Sequence, residues 1–192
     1  SLKNLESENE KLKEENNELR ELLALKGYFE NYDMVAANVI AGDVTDWFNE
    51  FTVDCGTSDG IQDGCIVITS KGLVGVVYNS GPVSSKIRSI VDDQNVLMAR
   101  ISRNNALVRL KGMSNENYTH MLELDRIADQ TSLYVGDVLV TAESGGVYPK
   151  GLVVGTVTSI NENKEKGTRT AYVEPAVDFA SVSHVYILLP KQ

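Results

Sequence analysis

The residues able to do acid–base or nucleophilic chemistry are few. His120 and His184 are the two imidazoles among 192 residues. A serine hydrolase needs one imidazole to take the serine proton and a carboxylate to orient that imidazole. Ser144, in Glu143-Ser-Gly-Gly146, stands on a turn-forming stretch, and Asp178 lies near His184 in sequence. Nothing in their spacing brings them together. The histidines read as residues of strands or strand ends, and Ser144 as a loop residue. Two Cys and two His fall short of a four-ligand zinc site. There is no phosphate-cradling glycine loop followed by lysine, and no EF-hand calcium loop. Asp92, Asp93, Asp125 and Asp129 form no diagnostic pair and suit solvated turns. No cofactor is expected. Cys55 and Cys65 flank a Gly/Asp-rich turn and read as small apolar thiols, with a disulfide as the alternative if their strands lie side by side.

Composition narrows the classes further. Eighteen Lys and Arg stand against 27 Asp and Glu, a formal charge of −9. Such a surface repels phosphate backbones, so nucleic acid is not an expected partner. No apolar run approaches the roughly 18 residues of a membrane-spanning helix, and the start shows no signal-peptide pattern. The charge is spread over two unlike materials. Residues 1–26 carry 5 basic and 7 acidic side chains and contain no Gly, Pro or aromatic residue.

That first segment follows a seven-residue repeat. Leu2, Asn9, Asn16 and Leu23 occupy one core position, and Leu5, Leu12 and Leu19 the other. Alternating three and four spacing of this kind is the seam of a coiled coil. An asparagine at the first core position satisfies its amide best against the same residue of an in-register parallel copy. Glu8 would then face Lys13 of the partner helix, and Glu15 would face Arg20, each exposed pair worth about 0–1 kcal/mol. Residues 1–27 are thus expected to form a parallel dimeric coil ending at Gly27, with a solvated single helix as the plainer alternative. The pattern begins in mid-repeat, as in a helix that continues upstream.

From about residue 34 the period changes to two. Val-, Ile- and Thr-rich runs separated by Gly, Asn, Asp and Ser predict strands at 35–40, 50–54, 66–69, 73–78, 86–91, 96–101, 106–111, 120–124, 138–141, 152–160, 170–174 and 185–189. Twelve short strands without an intervening helix indicate a mainly β fold of barrels or sandwiches. Gly64-Cys-Ile-Val-Ile-Thr69 with Gly72-Leu-Val-Gly75 echoes Gly136-Asp-Val-Leu-Val-Thr141 with Gly151-Leu-Val-Val-Gly155. The stretches 96–101 and 106–111 form one hairpin turning at Ser102-Arg-Asn-Asn105, so a cut there is disfavoured. The expectation is a nested pair: one barrel from 34–70 plus 128–190, the other, 71–127, inserted. Trp47, Phe48 and Tyr148 lie near turns, where they would plug a barrel end or serve as partner anchors.

The segment Gly60-Ile-Gln-Asp-Gly64 before the first echo, Gly145-Gly-Val-Tyr-Pro-Lys-Gly151 within the second, and Glu174-Pro-Ala-Val-Asp-Phe179 complete a pattern over essentially the whole chain. It closely resembles the extracytoplasmic part of the rod shape-determining MreC family. The resemblance implies two small β-barrels like those of trypsin-like proteases, with no catalytic triad. It implies a homodimeric scaffold of cell-wall elongation that engages penicillin-binding proteins and other shape-determining membrane proteins. It also implies a place on the outer face of the bacterial membrane, anchored by a transmembrane helix N-terminal to this chain. The two cysteines are not part of the family pattern. The rival classes are a degenerate serine hydrolase and a peptidoglycan-binding module.

Overall fold

Alternation of apolar and polar residues makes most of the β segments two-faced, and two-faced segments bury one side by closing on themselves. The computed structural model describes residues 2–25, 29–42, 49–115, 118–125, 127–128, 130–143 and 148–191. Among them are a long helix, α1 (Leu2–Leu25), and twelve strands. The strands are β1 (Tyr32–Gly42), β2 (Glu50–Val53), β3 (Ile66–Thr69), β4 (Gly72–Ser80), β5 (Ser85–Ser89) and β6 (Val96–Ile101). They continue with β7 (Leu107–Asn115), β8 (Tyr118–Asp125), β9 (Val138–Thr141), β10 (Val153–Asn163), β11 (Thr168–Pro175) and β12 (His184–Pro190). Every strand expected from the sequence is present. Residues 1–33 with 190–192 make one compact unit, and 34–189 the other.

The strands close into two six-stranded barrels, in the orders β1-β12-β3-β4-β5-β2 and β10-β11-β8-β7-β6-β9. Strands β6 to β11 are contiguous, so the second barrel is inserted between β5 and β12. This corrects the expected segments. β4 and β5, assigned to the inserted barrel by the 71–127 boundary, belong to the first; β9, β10 and β11, assigned to the first by 128–190, belong to the second. The reason is the turn Ser70-Lys71. It is too short to let β4 leave β3, and Thr69 pairs directly with Gly72. A boundary at 70/71 cuts through that hairpin.

The largest fully buried side chains are aliphatic. Val53, Ile68, Leu73, Ile87 and Ile187 are fully buried in the first barrel, and Ile101, Leu110, Leu122, Leu124 and Leu139 in the second. The two barrels share one plan. β3 and β4 correspond to β9 and β10, and both pairs carry a register shift beside an interior glycine, Gly75 or Gly155. The entry turns also correspond. Gly64 N–H donates to Val77 O and Gly136 N–H to Val157 O, both at 2.8 Å. Gly64 and Gly136 have φ of +94° and +95°, a conformation a side chain would strain, which is why the echo keeps glycine there. Starting the first barrel from β12 puts its strands in the same cyclic order as the second starting from β6. The last strand of the chain is therefore what completes the first barrel.

Candidate functional site

α1 is built from strong helix formers, and five of its leucines fall on one line. Leu2, Leu5, Leu12, Leu19 and Leu23 are 55–78% exposed, and Asn9 and Asn16 are exposed among them. A single helix gains nothing by lining up five solvent-facing leucines, because isolated helices draw their stability from a covered apolar face. The seam is therefore the first candidate site. Of the other expected residues, Trp47, Phe48, Ser144 and Gly27 lie outside the described residues. Tyr148 is half-buried; its hydroxyl is 3.5 Å from Asn95 Oδ1, and burial pushes its phenol up to about 12. Asn95 lies in the link from β5 to β6 and donates its amide to Ile90 O at 3.1 Å. Tyr148 thus reaches from the β9–β10 loop toward the junction of the barrels.

The histidines go to separate places. His184 Nδ1 lies 2.6 Å from Asn38 Oδ1, so it donates its proton to a neutral amide. Asn38 donates from its backbone N–H to Asp54 Oδ1 at 2.7 Å and from its side chain to Oδ2 at 3.0 Å. These donors, the backbone one foremost, hold Asp54 below the usual carboxylate range. His120 is the extra residue of a β8 bulge, with φ +71°. It lines a hollow of about 360 Å³ with Met121 and residues 174–180. Burial lowers its pKa, and Asp178 acts in the opposite sense. Asp178 is committed to its own turn, accepting from Ala180 N–H at 3.1 Å and Ser181 Oγ at 3.0 Å. Asp178 lines that hollow together with His120.

No described group of three His, Cys, Asp or Glu is placed to hold a metal. Both cysteines are free thiols. Cys65 is buried in the core, and the Cys55 thiol donates to Ala36 O at 3.4 Å. Burial foremost, with Asp54 and Asp59 nearby, raises the Cys55 thiol pKa, which keeps it protonated and unreactive.

One cluster escaped the sequence reading. Arg103, in the β6–β7 turn, donates Nε to Asp137 Oδ1 at 2.9 Å and one terminal nitrogen to Oδ2 at 3.0 Å. The same nitrogen reaches Ser132 O at 3.1 Å, and the guanidinium lies 4.6 Å from the Tyr134 ring centre. Asp137 also accepts the Tyr134 N–H at 2.9 Å. The available signal was the echo itself: Asp137 stands where the first barrel has Cys65. The Arg103 hydrogen bond, above all, pulls the Asp137 carboxyl below its ordinary value, against a smaller effect of burial. A lowered folded-state pKa contributes stability above the unfolded-state value, lost as pH falls through the folded one. Asp137→Asn is therefore expected to cost about 2 kcal/mol at pH 7. In urea melts from pH 7 to pH 2.5 the gap to the parent protein should narrow below about pH 4, the unfolded carboxylate range; a pH-independent gap contradicts the assignment.

Comparison with known proteins agrees with this layout. The family model described as "Rod shape-determining protein MreC, barrel core" matches residues 39–189. The cell shape-determining protein MreC of Listeria monocytogenes is 31% identical over 190 residues, covering 97% of this chain and 64% of that protein's length. A solved structure of the Listeria monocytogenes protein superposes with a TM-score of 0.75 at 30% identity, covering 100% of this chain and 91% of the other. A chain in a structure titled as a complex between penicillin-binding protein PBP2 and MreC from Helicobacter pylori has the same fold, with a TM-score of 0.66 at 16% identity over 84% of this chain and 99% of that one.

Proposed function

Because this chain belongs to the MreC family of cell shape-determining proteins, which are structural and not enzymes, we propose that it is a dimeric scaffold of the bacterial cell-wall elongation machinery. On this reading α1 pairs two copies in parallel at the extracytoplasmic face of the membrane, and the barrels dock penicillin-binding proteins. The observation that carries the pairing is the open leucine line of α1 with Asn9 and Asn16 inside it. The Helicobacter pylori complex supports the docking. No described helix is long and apolar enough to cross a membrane. On the reading proposed here the protein is anchored in the membrane upstream of α1, which then serves as a stalk of about 36 Å at 1.5 Å per residue.

A scaffold of this design works through geometry and avidity. Two copies joined by a stalk offer two docking sites, so that a second engagement is intramolecular. Nothing in the barrels needs to react, in keeping with His184 tied to Asn38 and Asp178 tied to its own turn.

The asparagine pair tests the stalk. Asn9→Val with Asn16→Val should tighten association while loosening its stoichiometry, because the buried amides select in-register dimers at a cost in stability. Sedimentation equilibrium should show trimers or tetramers beside dimers. A population that stays purely monomeric in both the parent and the variant overturns the paired-stalk reading.

A further inference from the structure

We propose that the hollow between β8 and the β11–β12 crossing is a binding site for a small organic cation, a guanidinium or ammonium group on a short apolar stem. This goes beyond the scaffold reading and does not depend on it. The chain passes from one barrel to the other twice, after β5 and after β11, and the two departures are built alike. Ile90 N–H donates to Val74 O at 2.9 Å, and Ala176 N–H donates to Val154 O at 3.0 Å. Two residues on, Asp92 Oδ1 accepts the Gln94 N–H at 2.9 Å, and Asp178 Oδ1 accepts the Ala180 N–H at 3.1 Å. Each turn is closed by a backbone bond, from Asn95 N–H to Asp92 O at 2.9 Å and from Ser181 N–H to Asp178 O at 3.2 Å. The strand register carries the match backwards. Arg88 pairs with Val76, the residue after Gly75, and Glu174 pairs with Thr156, the residue after Gly155. Arg88 and Glu174 thus hold the same place relative to their aspartates.

In the first barrel that place holds a cation among anions. Arg88 lies 3.6 Å from Glu50 and 3.8 Å from Asp92, with its guanidinium 4.6 Å from the Tyr78 ring centre. The second barrel keeps the aspartate and puts a carboxylate where the arginine stands. Met121 takes the place of Glu50, because Leu122 pairs with Val173 as Phe51 pairs with Ile87. The hollow of about 360 Å³ lies at this spot, and His120, Met121, Glu174, Val177, Asp178 and Phe179 are among its lining residues. Its size falls in the range of small-molecule sites, about 300–1,000 Å³. The first barrel fills the position from within; the second leaves it open to a ligand.

Charge and lining select that ligand. Among the described residues, neither Glu174 nor Asp178 has a lysine or arginine partner. His120 does not take the place of one, because burial lowers its pKa and leaves it neutral at pH 7.5. Asp178 accepts one bond at each oxygen inside its own turn, and each carboxylate oxygen has a second lone pair to offer. Met121, Val177 and Phe179 supply apolar surface for a stem, as aliphatic stems of cationic groups prefer. A metal ion fits less well, since no described group of three His, Cys, Asp or Glu is placed to hold one.

The test is a titration of the 192-residue chain, labelled with ¹³C at its methionine methyls, with propylguanidinium chloride at pH 7.5 and constant ionic strength. The Met121 methyl signal should shift saturably, while that of Met98 stays still, β6 being neighbour to neither β8 nor β11. Glu174→Gln and Asp178→Asn should each weaken binding about fivefold, the upper range for an exposed ion pair. Glu174→Arg installs the first barrel's arrangement and should abolish binding. Glu174 and Asp178 are both exposed, so these variants keep the fold, which an unmoved Met98 signal verifies. A Met121 shift that is absent, fails to saturate or is matched by neutral butyramide overturns the site. Unchanged affinity in both Glu174→Gln and Asp178→Asn overturns the role of the carboxylates. Saturation by the peptide Gly-Arg-Gly but not by propylguanidinium overturns the small-ligand assignment in favour of a protein side chain.

Discussion

Gly155→Ala should destabilise the second barrel by about 3 kcal/mol, the upper range for overpacking a well-packed site, and Gly155→Val should abolish soluble folded protein. A Cβ at this position would lie 2.3 Å from Glu174 O, 2.9 Å from Val173 Cγ1 and 3.0 Å from Glu174 C. Two of these atoms are backbone, so no rotamer change relieves the clash. Gly155 pairs with Leu139 on one side and Pro175 on the other, beside the register shift of β10. Making room means parting β10 from β11, and β11 is what joins β10 to β8 in the closed ring. Opening that ring exposes Val157, Ala171 and Val173, all at or near full burial, together with two strand edges. Thr156→Val, at the next and exposed position, is the control and should stay within about 0.5 kcal/mol of the parent, as surface substitutions do. Chemical denaturation of the three proteins measures this. Parent-like stability of Gly155→Ala would refute the close approach. Gly75 poses the same problem in the first barrel, its Cβ falling 2.1 Å from Arg88 O. The echo between Gly72-Leu-Val-Gly75 and Gly151-Leu-Val-Val-Gly155 therefore records one steric requirement met twice.

The strands were legible because alternation is a local signal. Val138–Thr141 shows it over four residues, with Leu139 and Thr141 buried and Val138 and Val140 half-exposed. Barrel membership was not legible, because it depends on pairings far apart in the chain. β12 closes the first barrel through Tyr186 against Ile68 and Leu188 against Ile66, more than a hundred residues away. Nothing in the composition of β12 distinguishes that partner from a strand of the second barrel. The same limit applies to function. Arg103 and Asp137 are 34 residues apart, and their forked contact exists only once the β6–β7 turn meets the turn before β9. The glycine echo did locate Asp137, but as a member of a turn and without its partner. The helix α1, in contrast, was readable from the sequence, since its pattern lies within one segment.

Leu12→Lys with Leu19→Lys should dissociate the paired stalk, raising the dimer Kd by three to four orders of magnitude. Both leucines lie in the seam's second core position, each more than half exposed in a single copy. A dimer covers four such side chains, and burial is worth about 1.5–3 kcal/mol for each when complete. Even partial coverage of the four leaves about 5 kcal/mol at stake, near four decades at about 1.4 kcal/mol per decade. The lysines add a like-charge penalty across the seam at neutral pH, so the loss is the larger at low salt. The barrels should be untouched. Their cores share no residue with α1, and residues 34–189 form a compact unit of their own, so the denaturation midpoint of the β region should match the parent's. The design separates two contributions to scaffold action. If avidity carries the function, cells whose only copy is the double variant should lose rod shape although each monomer still holds both barrels. If a single docked copy suffices, such cells stay rod-shaped while sedimentation shows monomers, and pairing through α1 is then not what shapes the cell.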